Sequence, residues 1–530
     1  MPSRAEALER LLHDAAGARQ WDVIVIGGGA TGLGAGVDAA SRGMSVLVLE
    51  AKDFAKGTSS RSTKLVHGGV RYLAQGNVSL VREALAERGR LARNASHLVR
   101  PLSFVIPTYR WFDKVFYWLG MVVYDFLAGR LGIGRSRWLS VANTLSFLPT
   151  VVRGNLRGGV QYYDAQFDDA RLAVSLLRTL CNLGGNAVNY MPVTGLHKEQ
   201  GKDGERVAGV VIQHPAQQTD LTLLAKTVIN ATGVWVDDIR RMDYPATKPM
   251  LAPSQGVHLV VDRSFLPSDH ALLVPKTEDG RVLFVVPWYG KTVLGTTDTP
   301  REDAPYEPRA LEDEVEFILS TAATILEKKP TRADVLSVFV GMRPLVKEGE
   351  DEGGTSGISR EHAIRVSRSG LITITGGKWT TYRAMAEEVI DKAIKVARLA
   401  KRKSQTETLL LHGATAQPAR LIEQVAPMDP LGSDRASVEA APGGRDRINP
   451  RLDLTVAMVR FFAQQEMAAS VEDVLARRHR ALFLDARAAM EAAPRVADLL
   501  AVELGWDEDA RQRSLDSFLE TARTYCLSAG

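Results

Sequence analysis

The chain of 530 residues is too long for a single hydrophobic core, so we expect two or three domains. With 45% hydrophobic and 24% charged residues, its composition is that of an ordinary globular protein. The net charge is only +4, and basic residues are interspersed with acidic ones, which argues against a nucleic-acid-binding surface. The two cysteines, Cys181 and Cys526, fit no metal-binding or redox spacing, so we expect no metal site.

The first predicted element is an amphipathic helical arm over residues 1–20. Acidic residues interrupt this segment and it has no apolar core, so it does not have the pattern of a secretory signal. We therefore expect the body of the protein in the cytoplasm.

A strand, a glycine-rich turn, a helix and a second strand are predicted from Asp22 to Glu50. Gly27, Gly29 and Gly32 have the GxGxxG spacing, which allows a tight turn, close backbone approach to a pyrophosphate, and close packing of the helix on the strand. Glu50 ends the second strand, where a carboxylate binds a ribose 2′-hydroxyl and repels a 2′-phosphate. The unit therefore predicts NAD or FAD and excludes NADP.

A polar run, GTSSRSTK, follows at 57–64 and leads into LVHGGVRYL at 65–73. Small hydroxyl side chains and glycines allow hydrogen bonds and close backbone contact with a cofactor. We expect this loop to line the nucleotide site.

An irregular aromatic stretch over 101–154 predicts an excursion from the nucleotide domain. Its most apolar part, Val115–Tyr124, is about half the roughly twenty residues that a bilayer-spanning helix needs. The favoured interpretation is a buried helix or domain wall, and the alternative is an aromatic surface at a lipid interface.

Further along, a helix is predicted from Asp168 to Leu183, and an apolar strand runs into Ala231-Thr232-Gly233, where backbone can meet a cofactor. Short strands dominate Val257–Asp298 and predict an antiparallel second domain. Gly376 and Gly377 then open a helix that points its N-terminus at the site. The tail is predicted to be helical.

The predicted domains are a helical arm at 1–20, a nucleotide domain at 21–100, 155–250 and 335–400, a substrate domain at 101–154 and 251–334, and a helical domain at 401–530.

Six segments together carry a family resemblance: GGGATGLGAGVDAASRG, TSSRSTKLVHGGVRYL, INATGVWVDD, VPWYGKTVLGTTD, GMRPL and ITGGKWTTYR. In this order they resemble the aerobic, respiratory FAD-dependent glycerol-3-phosphate dehydrogenases. The resemblance implies an α/β fold with a Rossmann-like, glutathione-reductase-like FAD-binding domain, an antiparallel-sheet substrate domain and a C-terminal helical domain. It also implies noncovalent FAD, oxidation of glycerol 3-phosphate to dihydroxyacetone phosphate, and a quinone acceptor. Peripheral attachment to the inner face of the cell membrane follows from it, and a homodimer is compatible with it.

The resemblance also assigns residues. Arg343 and Arg360 are expected to bind the phosphate, because arginine suits bidentate phosphate recognition. Arg71, Tyr72 and Lys378 are expected near the reacting carbon, and Thr381 at the substrate. The predicted base is His258, with His67 on the flavin side. The cofactor-binding residues are expected to be Gly27, Gly29, Ala30, Thr31, Gly32, Glu50, Thr58, Ser59, Ser60, Thr63, Lys64, His67, Gly68, Gly69, Thr232, Gly233, Gly376, Gly377, Lys378 and Thr380.

Three alternatives stay open at this point. The same fold serves oxidases that pass electrons to oxygen, including glycerol-3-phosphate and amine or amino-acid oxidases. An amine substrate would need a carboxylate-binding arginine and an aromatic cage, whereas several converging cations fit a phosphate better. A noncatalytic flavoprotein that binds RNA or lipid would show a basic stripe, which the sequence lacks.

Overall fold

The computed structural model describes residues 1–69, 77–201, 204–215, 217–275, 277, 282–347, 358–359, 362–416 and 427–527. Helices and strands alternate in the first half, and helices predominate from Arg435 to Arg523. The α-helices are Arg4–Ala16, Ala30–Ser41, Val78–Asn94, Trp111–Ala128, Val141–Phe147, Asp169–Asn182, Val236–Asp243, Glu312–Ile325, Tyr382–Val396, Arg435–Ala440, Val456–Gln465, Ala481–Leu484, Ala486–Leu504 and Glu508–Arg523, with a π-helical turn at Asp473–Arg478.

The first sheet is the core of the nucleotide domain. Its strands lie in the order His362–Val366, Ile372–Gly376, Asp220–Asn230, Gln20–Ile26, Val46–Leu49 and Asn186–Val188. Strand Gly204–Gln213 pairs with Asp220–Asn230, and Val193–Gly201 pairs with Gly204–Gln213. The five strands from Ile372–Gly376 to Asn186–Val188 run parallel, and the glycine-rich helix Ala30–Ser41 packs between this sheet's helices Asp169–Asn182 and Tyr382–Val396. The predicted βαβ unit is confirmed. Gly43, after the helix, has φ +74°, a conformation that favours glycine.

The second sheet is largely antiparallel and forms the second domain. Its strands lie in the order Thr299–Pro300, Ser254–Asp262, Lys291–Gly295, Leu283–Trp288, Ala271–Val274, Val99–Pro107, Gly159–Phe167 and Leu65–Val66, with Val335–Arg343 beside Ser254–Asp262 and Arg137–Leu139 beside Gly159–Phe167. A short pair, Val346–Lys347 with Ile358–Ser359, stands apart.

Three strands were assigned to the wrong domain. Strands 65–66, 159–167 and 335–343, predicted in the nucleotide domain, belong to the antiparallel sheet. The two longer strands are buried along nearly their whole length, so they lack the polar alternation of a half-exposed antiparallel strand and resemble strands of a buried parallel sheet.

The helical tail does not stand apart from the rest. Its apolar side packs against the second sheet, where Val260, Trp288 and Phe339 join its hydrophobic cluster. Its arginines Arg477 and Arg478 donate to the buried carboxylate of Asp53, in the nucleotide domain. The tail therefore supports the loop that follows the second nucleotide-domain strand.

Helix Trp111–Ala128 is not fully buried, but one of its sides forms a wall of the second domain, which is the other form of the favoured interpretation. Met121 and Tyr124 are buried on this side, in a cluster with Phe104 and Tyr162 of the second sheet. Eight apolar side chains are exposed on the other: Phe112, Val115, Phe116, Trp118, Leu119, Val122, Val123 and Phe126. We call these eight the apolar face. Among the described residues, no helix is both long and apolar enough to cross a membrane.

Candidate active site

One cavity of about 500 Å³ lies where the two sheets meet. Its nucleotide-domain wall comes from the carboxyl ends of the parallel strands, where ligands bind in open α/β sheets. The second domain supplies His258 and residues 341–345. The cavity is therefore shared by a nucleotide-binding edge and the sheet predicted to hold substrate.

The glycine turn forms one end of the cavity. Gly27 has φ +111°, and a Cβ placed there would lie 2.6 Å from the Ala231 carbonyl oxygen. A Cβ on Gly32 would lie 1.9 Å from the Gly27 carbonyl oxygen, so only glycine lets the helix start this close to the turn. Gly32 thus has the packing role that its spacing predicts, and it does not itself line the cavity.

Glu50 closes the unit and also lines the cavity. One carboxylate oxygen accepts from the Gly28 N–H at 2.6 Å, and the other accepts from the Lys52 N–H at 2.8 Å. Burial raises the pKa of Glu50, and these two hydrogen bonds partly offset the rise. The carboxylate is held at the position where a ribose hydroxyl is expected.

In the polar loop, Thr58, Ser59 and Thr63 line the cavity, but Ser60 and Lys64 do not. The Lys64 ammonium is buried, donating to the Ser60 carbonyl at 2.8 Å and to Asp169 at 2.7 Å. Burial lowers its pKa to about 7 despite the carboxylate. Lys64, predicted to bind the cofactor, is not in the cavity wall: its backbone adopts φ +65°, and its side chain lies in a buried ion pair with Asp169.

His67 lines the cavity, but the two glycines after it do not. The Gly68 N–H donates to the Tyr124 hydroxyl at 2.8 Å, and a Cβ on Gly68 would collide with Leu85. Gly68 therefore packs against helices Val78–Asn94 and Trp111–Ala128, and Gly69 has φ +80°, a conformation that favours glycine.

His258 lies in the middle of strand Ser254–Asp262 and faces the cavity. Its ring stacks on Phe339 with centroids 4.7 Å apart, and Nε2 lies 2.8 Å from the Thr63 hydroxyl. Burial, with the nearby cations Lys64 and Arg343, lowers the pKa of His258 well below its ordinary value. The imidazole is therefore neutral at pH 7.

Arg343 ends strand Val335–Arg343 and also lines the cavity. Its guanidinium donates to Asp298 at 2.9 Å and to the carbonyls of Gln255 and Thr297 at 3.1 and 2.9 Å. A Cβ on Gly256 would lie 2.3 Å from its Nη2, so the adjacent glycine makes room for it. The predicted cation is in place, but it shares its charge with a carboxylate that the sequence did not indicate.

Lys378 stands at the N-cap of the 3₁₀ turn Trp379–Thr381, which leads into helix Tyr382–Val396. Lys378 and Thr380 line the cavity, and the Thr380 hydroxyl hydrogen-bonds the backbone of His67. Thr381 is buried, with its hydroxyl directed to the Lys378 carbonyl. Its predicted substrate contact is not seen, because the turn points it inward.

Most predicted residues come together in this one cavity. Arg71, Tyr72 and Arg360 lie outside the described residues. Those in the cavity wall are Gly27, Gly29, Ala30, Thr31, Glu50, Thr58, Ser59, Thr63, His67, Thr232, Gly233, His258, Arg343, Gly376, Gly377, Lys378 and Thr380, and those not in it are Gly32, Ser60, Lys64, Gly68, Gly69 and Thr381.

The prediction also missed residues of the cavity wall, among them Arg61, Trp235 and Tyr306. Arg61 and Trp235 stand inside motifs already singled out, so their position in those motifs could have indicated them. Tyr306 lies in a connection without regular structure, where sequence periodicity gives no signal.

Comparison with known proteins gives two family matches. Residues 22–383 match the family described as FAD dependent oxidoreductase, and residues 404–511 match the C-terminal domain of alpha-glycerophosphate oxidase. The first match covers more than half of the chain.

Individual relatives agree with these matches. A mitochondrial glycerol-3-phosphate dehydrogenase of Arabidopsis thaliana is 38% identical over 571 residues, covering 99% of this chain and 90% of the relative. That of Rattus norvegicus is 38% identical over 548 residues, covering 97% and 74%. Among solved structures, the glycerol-3-phosphate dehydrogenase from Bacillus halodurans complexed with FAD is 29% identical, with a TM-score of 0.76 over 100% of this chain and 99% of that one.

Proposed function

Since the chain belongs to the family of FAD-dependent glycerol-3-phosphate dehydrogenases, we propose that it oxidises sn-glycerol 3-phosphate to dihydroxyacetone phosphate and passes the electrons to a membrane quinone. The observation that carries this proposal is the convergence of His258, Arg343 and Lys378 on the cavity that contains the glycine turn. A base and two cations at a nucleotide site suit a phosphorylated alcohol.

The residues around the cavity fit FAD. Gly27 and Gly32 allow the tight turn that brings the N-terminus of helix Ala30–Ser41 to the cavity, where a pyrophosphate is expected. Glu50 is held at the ribose position. The same cavity is also lined by Arg343 and Lys378, where the redox-active half of the cofactor is proposed to lie. FAD, when bound, supplies the hydride acceptor for the alcohol carbon.

His258 is assigned to remove the hydroxyl proton. For this role Nε2 must carry the lone pair, so the hydrogen of the neutral ring must be on Nδ1, which is buried and makes no hydrogen bond in the described part of the chain. In that tautomer the Thr63 hydroxyl, 2.8 Å from Nε2, donates to Nε2, and the substrate hydroxyl has to replace it as the donor. The low pKa of His258 keeps the base unprotonated. As a general base it stabilises the transition state, in which the proton is being transferred.

Arg343 is assigned to the substrate phosphate, with Arg360 as its partner. Strand Val335–Arg343 fixes its backbone, and four acceptors hold its guanidinium at the cavity edge. Arg71, Tyr72 and Lys378 are proposed to stabilise negative charge near the reacting carbon.

The apolar face of helix Trp111–Ala128 is proposed to rest on the membrane surface. Phe112 and Phe126 are 85% and 84% exposed, values that suit contact with acyl chains rather than water. Exposed arginines lie near this helix: Arg110 is its N-cap, and Arg135 and Arg137 flank Ser136, whose N–H donates to Asp125 of the helix. An apolar face with basic residues near it fits an anionic lipid surface.

The membrane proposal is tested by co-sedimentation with anionic and neutral phospholipid vesicles. Changing Phe116 and Phe126 together to aspartate should weaken binding more than about ten-fold, since burying a phenylalanine is worth roughly 1.5–3 kcal/mol. Val502→Asp is the matched control, because Val502 is 77% exposed and belongs to helix Ala486–Leu504 of the tail. Equal binding of the double variant and the wild type would contradict the proposal.

The acceptor is tested by stopped-flow reoxidation of the reduced protein. The rate at which quinone in vesicles reoxidises the flavin should be at least as high as kcat. Reoxidation by oxygen should be much slower. The reverse order would assign the protein to the oxidases.

The product is tested by enzymatic determination of dihydroxyacetone phosphate with an artificial electron acceptor. The absence of product from glycerol 3-phosphate would refute the proposed reaction.

A further inference from the structure

A connection of eleven residues, 301–311, crosses from the second domain onto the nucleotide domain, and we call it the strap. It joins strand Thr299–Pro300 to helix Glu312–Ile325 and contains no helix or strand. Its two ends are held by the second domain: the Arg301 N–H donates to the Pro253 carbonyl at 2.9 Å, and the Gln255 amide donates to the Arg309 carbonyl at 3.2 Å.

The middle of the strap is fixed to the nucleotide domain by an aromatic pair. Tyr306 stacks on Trp235 with centroids 4.4 Å apart and an interplanar angle of 24°. The Trp235 indole N–H donates to the Ala304 carbonyl at 2.8 Å. Both rings line the cavity, so the strap forms part of its wall.

Charge fixes the strap at the next residue. Glu307 accepts from one Arg61 nitrogen through both carboxylate oxygens, at 2.7 and 2.8 Å, and pairs with the Lys56 ammonium at 2.5 Å. Arg61 is only 5% exposed, so this contact is largely shielded from solvent. Arg61 and Lys56 belong to the loop that lines the cofactor cavity.

Tyr306 lies at the Glu50 end of the cavity. The Lys52 ammonium, two residues after Glu50, is 5.5 Å from the centre of the Tyr306 ring. Burial, with the carboxylates of Glu50 and Asp238, raises the pKa of Tyr306, as expected for a phenol near that acidic end. Because a carboxylate at the position of Glu50 binds the ribose of the adenosine, the strap covers the adenosine half of the cofactor site.

We propose that the strap is a cofactor clamp: Tyr306 and Trp235 close the adenosine end of the FAD site, and the Glu307 ion pairs with Arg61 and Lys56 hold the clamp shut. The clamp contacts the adenosine half and not the flavin half. It sets the affinity and release rate of FAD and takes no part in substrate oxidation. This inference rests on FAD binding and not on the identity of the substrate.

The test compares ligands that represent the two halves of the cofactor. Apoprotein of the wild type, Tyr306→Ala, Tyr306→Phe and Glu307→Gln is titrated with FAD, with ADP for the adenosine half and with FMN for the flavin half. Truncating a contact aromatic typically costs more than about 1 kcal/mol, which is roughly five-fold or more in affinity. Tyr306→Ala should weaken FAD and ADP by at least this factor, leave FMN unchanged, and accelerate FAD release. Tyr306→Phe should behave as wild type, because the ring is retained.

Glu307→Gln provides the second variant, since it removes the charge that holds the strap without changing a cavity ring. It should accelerate FAD release. In protein loaded with FAD, the rate at which substrate reduces the flavin should stay within about two-fold of the wild-type rate. Tyr244→Ala is the control for loss of an aromatic side chain, because Tyr244 is 64% exposed and lies outside the cavity wall. Unchanged FAD and ADP affinity in both strap variants, or equal weakening of ADP and FMN, would overturn the proposal.

Discussion

Arg343→Ala separates phosphate binding from chemistry. Loss of one charge-assisted partner of a buried phosphate costs roughly 2–4 kcal/mol, which is about thirty-fold to several-hundred-fold in affinity. The ion pair that the change also removes is partly exposed, with Arg343 at 24% and Asp298 at 31%, and such pairs contribute at most about 1 kcal/mol to stability. KM for glycerol 3-phosphate should therefore rise strongly. The thermal midpoint should fall only slightly, and the flavin content should stay constant.

Unphosphorylated glycerol provides the internal control for Arg343→Ala. Its slow oxidation should be almost unchanged, since it offers no phosphate to the guanidinium. Asp298→Asn is the matched variant, because it keeps an oxygen near Arg343 and removes the competing charge. Asp298→Asn should not raise KM for glycerol 3-phosphate. If Arg343→Ala slows glycerol and glycerol 3-phosphate by the same factor, Arg343 is structural or catalytic and the phosphate assignment is wrong.

Three further changes test other parts of the site and the fold. Gly29→Val should yield colourless protein on absorbance measurement, because a Cβ at Gly29 would already lie 3.0 Å from the Ser59 hydroxyl and block backbone approach to the cofactor; retained flavin would refute this. His258→Ala should lower kcat about a hundred-fold or more with KM nearly constant in steady-state assays, and a change confined to KM would contradict its role as base. Burial lowers the pKa of His97 to about 4, so between about 6.5 and 4 the unfolded chain binds a proton that the folded chain does not, and stability falls as pH falls. His97→Gln should reduce the drop in thermal midpoint between pH 7.5 and 5, and an unaltered drop would exclude His97 as a source.

The sequence predicts the nucleotide half of the site well because local rules govern it. The GxGxxG spacing, the β-branched strand before it and the acidic end of the second strand each act within one βαβ unit, and the structure has all three. The second sheet is also predicted, from short strands with turn residues between them, but strands buried on both faces carry no alternation and were assigned to the wrong domain.

The remaining differences come from contacts that are distant in sequence. The side chain of Lys64 is directed by Asp169, more than a hundred residues away, and Arg343 meets Asp298 through strand neighbours. Tyr306 reaches the cavity only because the strap crosses between domains. The apolar side chains of helix Trp111–Ala128 predict burial, but eight of them are exposed on its outer face.

The most direct test of the central claim is an anaerobic titration of the purified protein, followed by flavin absorbance. Glycerol 3-phosphate should bleach the bound flavin with one equivalent per site, and neither glycerol nor an amino acid should do so at the same concentration. Bleaching by an amino acid, or equal bleaching by glycerol and glycerol 3-phosphate, would contradict the proposal that cations around this cavity select a phosphorylated alcohol.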